Sequence, residues 1–598
     1  MADSNYWQRG TSARVSRRRL IRGGATAGLG LAGAALIGCG GDEEEEAAPA
    51  ATTAPAATTA AGAATAAATA APASEIKRGG VTRTHATTAL NDEMDPHKSL
   101  SQGAVLWSYL GNTATRLNRE ATEVVPELAM AWEQVDDVTL TFQVRDAKWH
   151  DGRPVDAEDA VYNLKRIAGI LEPEQAARYQ RRTTLTGMED AEAIDAKTVR
   201  VKFTKPTSTF LGGLSDFRNS WVPRDFLDKG GNFTDPNTLI GSGAFMMDSW
   251  EDEVKAVFKR NPNYWKTASV TDTWPAGAEG LPYVDAFEIV WVPDTTSAIA
   301  AFAAGDLSYI LSPSRVDRET IKKLNPDARE ELWPFGNWHH WRFNPQRAPF
   351  DDARVRRALF LVPAYDALAN EALGEGYWDY TGPLNAGFGE AIPSAEIAKM
   401  AGWNPATKEA DIAEAKKLMS AAGMDDPTFD VPIMPPSATQ AGYYFDSSVR
   451  LVDMLKTVWP NIKATIDLPA DGATFAKRQV EGDFGSIIYI IFPQPDPVLE
   501  LSSQYLSTGS RNYGKFSSSE IDALLTKAGE QFDPAARKET LLEVQRKLID
   551  EMYIVTIDMP RYHAWFNPFV KGMEGFGGRV DGGAYDLWRH TEHMWLDK

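Results

Sequence analysis

Residues 47–74 constrain the folding of this chain more than any other stretch, because nothing in them can enter a core. From Ala47 to Ser74 the sequence is almost wholly Ala, Thr and Pro, with no aromatic residue and no apolar periodicity. Such a segment cannot bury enough apolar surface to offset the entropy of ordering, so it reads as a disordered tether. The acidic run Asp42 to Glu46 precedes it. About 35 residues of flexible chain have an r.m.s. reach of roughly 30–35 Å. The folded body is therefore confined to about residues 76–598. It is also a body without disulfides, since the single cysteine of the chain, Cys39, lies beyond the tether.

The residues ahead of the tether read as an address. Ser16-Arg17-Arg18-Arg19-Leu20-Ile21-Arg22 has the twin-arginine export pattern, with Arg17 and Arg18 as the pair. The apolar run Gly23 to Gly38 is too short and too rich in Gly and Ala to span a bilayer permanently. It ends in Leu36-Ile37-Gly38-Cys39, which resembles a bacterial lipobox. The expectation is a signal peptide over 1–38 and lipidation of Cys39, holding the protein at the outer face of the cytoplasmic membrane, with each buried methylene contributing about 0.8 kcal/mol. Loss of residues 1–38 takes the formal charge from −20 to −25, leaving 56 bases against 81 acids. That balance argues against nucleic acid or anionic lipid as a partner surface.

The body is too long for one core and should divide into two or three domains. It has no second long apolar segment, and helical and strand patterns alternate along it. Leu140 to Val144 and Val199 to Phe203 alternate with the strand period. Asp156 to Asp159 opens an amphipathic run to Ile167, with acids in the first turn where the helix dipole favours them. Glu409 to Ala422 and Ala535 to Met552 read as long amphipathic helices, and Trp149 to Pro154 as a turn between strand and helix. The architecture is mixed α/β with several lobes.

The order of short motifs carries a resemblance. Gly79-Gly80-Val81 and Met94-Asp95-Pro96-His97-Lys98 come first. Val125-Pro-Glu-Leu-Ala129, Trp132, Lys148-Trp149-His150-Asp151-Gly152, Asp159 and Val161 follow, then Ile240-Gly-Ser-Gly-Ala-Phe245 and Arg260-Asn-Pro-Asn-Tyr-Trp265. Leu281 to Asp285, Gly305-Asp306-Leu307, Phe343-Asn344, Pro349 to Arg356, Asp496-Pro497, Tyr513 and Ile521-Asp522 complete the series. In this order they resemble the family 5 extracytoplasmic solute-binding proteins of ABC importers, a group that includes oligopeptide-, dipeptide- and nickel-binding proteins.

The resemblance implies an α/β, two-lobed periplasmic-binding-protein-like fold (class II, cluster C type) with an extra domain in lobe one. By motif order, lobe one is 76–118, 240–336 and 566–598, the extra domain 119–239, and lobe two 337–565. It also implies a monomeric receptor without cofactor or catalytic activity. Its lobes close on a solute, and the closed form docks on a membrane permease.

The resemblance places the ligand site on three segments. One is the aromatic strand after Trp333, where alternation sends Trp338, His340 and Arg342 one way and His339, Trp341 and Phe343 the other; the first set matches pocket-lining positions. The second is Tyr489, Phe492, Pro493 and Gln494, and the third Ser99, Leu100, Ser101 and Gln102, with Tyr179 added from the extra domain. Peptide is the commonest ligand class of the family. Its oligopeptide binders hold the peptide's amino group with an aspartate three residues before the acid-proline pair, and here that position is Pro493. A pocket without that carboxylate also suits a modified peptide, an oligosaccharide, an opine-like compound or a metal chelate.

Enzymatic readings have less to rest on, though an extracellular sensory or hydrolytic role is the alternative. Asp483-Phe484-Gly485 stands without the other kinase motifs and reads as a turn after a helix. There is no Gly-x-Ser-x-Gly elbow. The pairs His339–His340 and His590 with His593 lack evident further ligands, and read as polar residues of a cleft wall and of the C-terminal surface rather than a metal site.

Overall fold

The computed structural model describes residues 76–86, 93–99, 102–118, 123–266, 280–311, 314–334, 337–436, 442–491, 493–574 and 589–598. Arg17, Arg18, Cys39 and the tether lie outside the described residues, as do Leu100, Ser101 and Phe492 of the expected site.

Three sheets organise the body. The first carries Val81–Ala86, Ala286–Trp291, Lys255–Arg260 and Phe245–Glu251 in that spatial order, with the first pair parallel and the others antiparallel. Its apolar face packs Phe245, Phe258 and Phe287 against Trp107 and Tyr109. The Gly-Ser-Gly motif at 241–243 has its reason here. A Cβ on Gly241 would sit 1.9 Å from the Leu110 carbonyl oxygen, and one on Gly243 2.5 Å from that of Tyr109.

The second sheet is the antiparallel set Ala129–Asp136, Thr139–Val144, Thr198–Phe203 and Met188–Ala193. Helix Ala157–Ile167 contributes Ala160, Leu164 and Ile167 to its core, together with Leu140, Phe142, Val199 and Val201. Asp156 caps that helix in a reciprocal capping box with Asp159. Asp159 also accepts the indole N–H of Trp149 at 3.1 Å, which ties the Trp149 turn to the helix start.

The third sheet defines the two lobes. Its spatial order is Tyr309–Leu311, Ile554–Phe566, Trp338–Phe343, Ser486–Ile491, Asp430–Met434 and Lys463–Ile466, and Arg329–Pro334 and Trp378–Asp379 also pair with Ile554–Phe566. The strand Ile554–Phe566 is therefore shared. Residues 561–566 pair with Arg329–Pro334, whereas residues 554–558 pair with Trp338–Phe343. The two ends enter different cores. Ala564 and Phe566 join Trp333 and the core of the first sheet, while Val555 and Ile557 join Trp341, Phe343, Leu359, Trp403 and Leu455. The chain thus crosses between the lobes twice, side by side, with a register shift between His339 and His340 at the crossing. Two adjacent extended strands between two separately packed bodies are the mechanical form of a hinge.

The amphipathic helices run over Lys408–Ala421 and Pro534–Glu551, within a residue of their expected ends. Asp483 to Gly485 follow helix Gly472–Glu481, which ends on left-handed Gly482 with φ 71°. Among the described residues no helix is long and apolar enough to cross a membrane.

The C-terminal histidines depart from expectation. His590 and His593 are buried rather than on the surface, in the segment 589–598. The cause is a charged cluster: Glu592 between them binds Lys266 at 2.8 Å and Arg116 at 3.1 Å, and accepts from the Tyr264 hydroxyl at 2.7 Å. Burial alone would raise the Glu592 pKa, but Lys266, His593 and Arg116 hold it well below the usual carboxylate range.

Candidate ligand-binding site

The strand Trp338–Phe343 has a strand on each edge, Ser486–Ile491 and Ile554–Phe566, and all six of its residues are buried. Its side chains divide by alternation. Trp341 and Phe343 enter the core of lobe two, where the Trp341 indole N–H donates to Ser486 Oγ at 2.8 Å. On the opposite face Trp338 packs against Met559, and His340 meets Tyr489 edge-on with ring centres 4.3 Å apart. The Arg342 guanidinium lies 5.4 Å from the ring centre of Tyr513, 5.5 Å from that of Tyr553 and 5.9 Å from that of Tyr489.

The polar atoms of that face are unusual. Arg342 donates from Nη2 to Gln504 Oε1 at 2.7 Å and from Nη1 to the Arg511 carbonyl at 2.5 Å. Its Nε, the indole Nε1 of Trp338 and both ring nitrogens of His340 have no protein partner, although all three residues are 0% exposed. Each enclosed polar group without a partner costs about 1–3 kcal/mol. Burial above all, with Arg342 and His339 nearby, lowers the His340 pKa well below its ordinary value. The ring is therefore neutral at pH 7, with one N–H and one lone pair to offer.

His339 behaves differently. Its Nδ1 lies 2.7 Å from Asp558 Oδ1, its ring stacks on Tyr443 at 3.8 Å, and the Tyr443 hydroxyl donates to Asp558 Oδ2. No group of three or more His, Cys, Asp or Glu side chains suited to a metal occurs among the described residues.

Gln494 joins lobe two to the loop after Tyr179. Its side-chain oxygen accepts from Arg181 Nη1 at 3.4 Å, and its backbone N–H donates to Glu500 Oε2 at 2.6 Å. Glu500 accepts from Gln504 Nε2 at 2.5 Å, and Gln504 receives Arg342. A chain of hydrogen bonds thus runs from Arg181 to Arg342. Pro493 is buried beside it. Asp496 is fully engaged, capping helix Pro497–Tyr505 through the Val498 and Leu499 N–H groups and pairing with Arg537.

Tyr179 lies under Lys98, the neighbour of Ser99 in the chain. Ser99 is buried and donates its N–H to the Asp95 carbonyl at 2.9 Å. Lys98 and Arg166 lie over the Tyr179 ring at 5.0 and 5.5 Å. Beneath them Arg166 binds Asp95 at 2.5 and 2.9 Å and donates to His97 Nδ1 at 2.6 Å. Gln102 opens helix Gln102–Val105. A cavity of about 310 Å³ is lined by Thr183, Lys205 and Thr209 from segments beside the second sheet and by Gln494, Leu499 and Ser503. Of the expected residues only Gln494 lines it.

The structure therefore brings Trp338, His340, Arg342 and Tyr489 onto one face, links Gln494 to it, and sets Tyr179 against Lys98 and Arg166. Sequence reasoning missed Arg181, Glu500, Gln504, Arg511 and the pair Asp558–Tyr443. Only the helical i,i+4 spacing of Glu500 and Gln504 left a local signal.

Two lobes joined by paired crossing strands are the architecture of a protein that closes on a solute. The chain belongs to the bacterial extracellular solute-binding proteins of family 5, whose middle-region profile it matches over residues 123–513. The periplasmic murein peptide-binding protein MppA of Escherichia coli is 25% identical over 480 residues, covering 76% of this chain and 83% of MppA. The periplasmic oligopeptide-binding protein OppA of Salmonella typhimurium is 24% identical over 478 residues, covering 75% and 82%. Among solved structures, the ABC transporter substrate-binding protein CtaP of Listeria monocytogenes superposes with a TM-score of 0.71 at 18% identity, over 87% of this chain and all of CtaP.

Proposed function

We propose that this protein is the receptor of an ABC importer, which captures a peptide or peptide-like solute between its lobes and delivers it to a membrane permease without transforming it. The observation that carries the reading is the set of buried, partnerless donors on Trp338, His340 and Arg342, beside the double crossing of the chain. A closing cleft whose polar groups await a ligand stores binding free energy for the closed state. Peptide is the first ligand class because relatives spanning most of the chain are named for murein peptide and oligopeptides.

In this reading lobe one is 76–118, 240–336 and 566–598, the extra domain 119–239 and lobe two 337–565, except that residues 561–565 pair and pack with lobe one. Ser99 to Gln102, Tyr179, Trp338, His340, Arg342, Tyr489 and Phe492 to Gln494 line the cleft. Residues 1–38 direct export and Cys39 carries the lipid. The protein acts as a monomer tethered at the outer face of the membrane, and its partner there is the permease.

The test is a panel of di- to hexapeptides added to the purified protein, read as thermal midpoint and by mass spectrometry of the panel. A ligand that binds only the folded state adds about 2.7 kcal/mol at a hundred times its dissociation constant. A concentration-dependent rise with every peptide recovered intact is the expected result. Turnover of a panel member overturns the receptor reading, and silence from all of them overturns peptide as the ligand class.

A further inference from the structure

The charge of the cleft face is opposite to the one a peptide's amino end requires. Arg342 is wholly buried, and its hydrogen-bond partners are neutral: the Arg511 carbonyl and the Gln504 amide oxygen. Its other neighbours are aromatic rings. The buried carboxylate of this network, Glu500, is reached through Gln504 and also lies 3.9 Å from the Arg511 guanidinium, so one carboxylate serves two guanidinium groups. Buried guanidinium groups are ordinarily paired with an anion, because desolvating the charge is otherwise too costly.

The remaining hydrogen-bonding capacity of the face is also one-sided. Among the partnerless buried atoms, Trp338 Nε1, Arg342 Nε and one nitrogen of neutral His340 are donors and the other His340 nitrogen an acceptor, while the Tyr489 hydroxyl can serve either way. The carboxylates nearby are already committed. Asp558 gives one oxygen to His339 and the other to Tyr443, Asp496 is held by its helix and Arg537, and Asp216 is held by Arg181. Pro493 supplies no charge at all. An ammonium placed here would face the Arg342 cation. A carboxylate beside His340 and Arg342 would find a donor on each and a counter-charge.

We propose that the solute presents a carboxylate to His340 and Arg342, which meet over the Tyr489 ring, and that the cleft selects acids whose amino end is blocked or absent: N-acylated peptides and related carboxylate-bearing amino-acid conjugates. This rests on the receptor reading and deepens it. Arg342 sets the sign of the site by direct contact. His340 fixes the carboxylate's position by offering a second donor from the same rigid central strand.

The experiment uses the purified protein with tri-alanine in four forms: free, N-acetylated, C-amidated and doubly blocked. Glutarate and cadaverine, a diacid and a diamine of equal length, serve as probes without a peptide bond. N-acetylation is expected to change affinity by less than about threefold, and amidation to weaken it by at least about tenfold. Glutarate raises the thermal midpoint and cadaverine does not. Arg342→Gln abolishes the glutarate response and the difference between acid and amide. Because Arg342 also packs among tyrosines, His340→Leu is the second variant. It removes a partnerless polar ring, so it leaves the unliganded midpoint unchanged or higher while weakening the acid forms by about fivefold.

Equal binding of acid and amide leaves the receptor reading standing and overturns the carboxylate assignment, as does loss of binding on N-acetylation. An Arg342-dependent response to glutarate with silence from every peptide does the reverse, removing peptide as the ligand and supporting the assignment. Silence from glutarate and peptides alike overturns both.

Discussion

Lowering the pH should unfold this protein partly through His97, and the geometry says by how much. Arg166 Nη1 donates to His97 Nδ1 at 2.6 Å, so that nitrogen must hold a lone pair, and Nε2 donates to the Ser220 carbonyl at 3.0 Å. A second proton on the ring would point at a guanidinium inside the fold. Burial, together with Arg166, pushes the His97 pKa down from 6.5 to about 3. In the unfolded chain the ring takes up a proton near pH 6.5, whereas in the folded protein it stays neutral until about pH 3. Proton uptake therefore favours unfolding throughout that window. The stability associated with neutral His97 is complete above pH 6.5 and declines by about 1.4 kcal/mol per pH unit as the pH falls toward 3. Relative to pH well above 6.5, this one ring accounts for about 2.7 kcal/mol of lost stability by pH 4.5, a large part of an ordinary stability of about 5–15 kcal/mol. His97→Gln keeps one acceptor and one donor but cannot titrate. Urea unfolding of both proteins at pH 7, 6, 5 and 4.5, followed by circular dichroism, gives two curves of stability against pH. The variant starts lower at pH 7 and loses less on acidification, so the gap closes by about 1.4 kcal/mol per unit below pH 6. His85, His150 and His340 also have lowered pKa values, with His150 at about 4, but they titrate alike in both proteins and cancel in the difference. Parallel curves refute the argument, because they would mean that the ring accepts its second proton inside the fold.

Two other substitutions test separate parts of the account. Gly241→Ala should cost at least about 3 kcal/mol in thermal or urea unfolding, since its Cβ would meet the rigid Leu110 carbonyl; Gly389→Ala, with open space at its Cβ, should be neutral. Cys39→Ala should release the protein from the membrane fraction into the soluble one and abolish its labelling by palmitate. Retention of the variant on membranes would leave the lipid anchor without support.

What was legible in the sequence was whatever is decided within a few residues. Alternation placed Trp341 and Phe343 in the core and Trp338, His340 and Arg342 on the other face, because a strand buried on both sides still sends successive side chains to opposite faces. The acids at 156–159 forecast a helix start that the capping box then makes. Collinear motifs carried the two-lobed class. The sharing of Ile554–Phe566 between two cores was not legible, for nothing within a thirteen-residue apolar strand reveals that its two halves pair with different lobes.

The misses at the site have one physical cause, which also explains why the sequence left the ligand's charge undecided. A buried charge is stabilised by its counter-charge wherever that lies along the chain. Arg116 finds Glu592 476 residues away, and so His590 and His593 are drawn inside with a segment that looks like an exposed tail. Read linearly, Arg342 is one basic residue in an aromatic strand, and Asp496 is the acid of a proline turn. Only the completed list of partners shows that Asp496 is occupied by Arg537 and its own helix, while Arg342 is met by a carbonyl, an amide and rings. The sign of the binding face is thus a difference between charges present and charges already paired. That second quantity belongs to tertiary structure alone, and here it leaves a cation as the group to be answered by the solute.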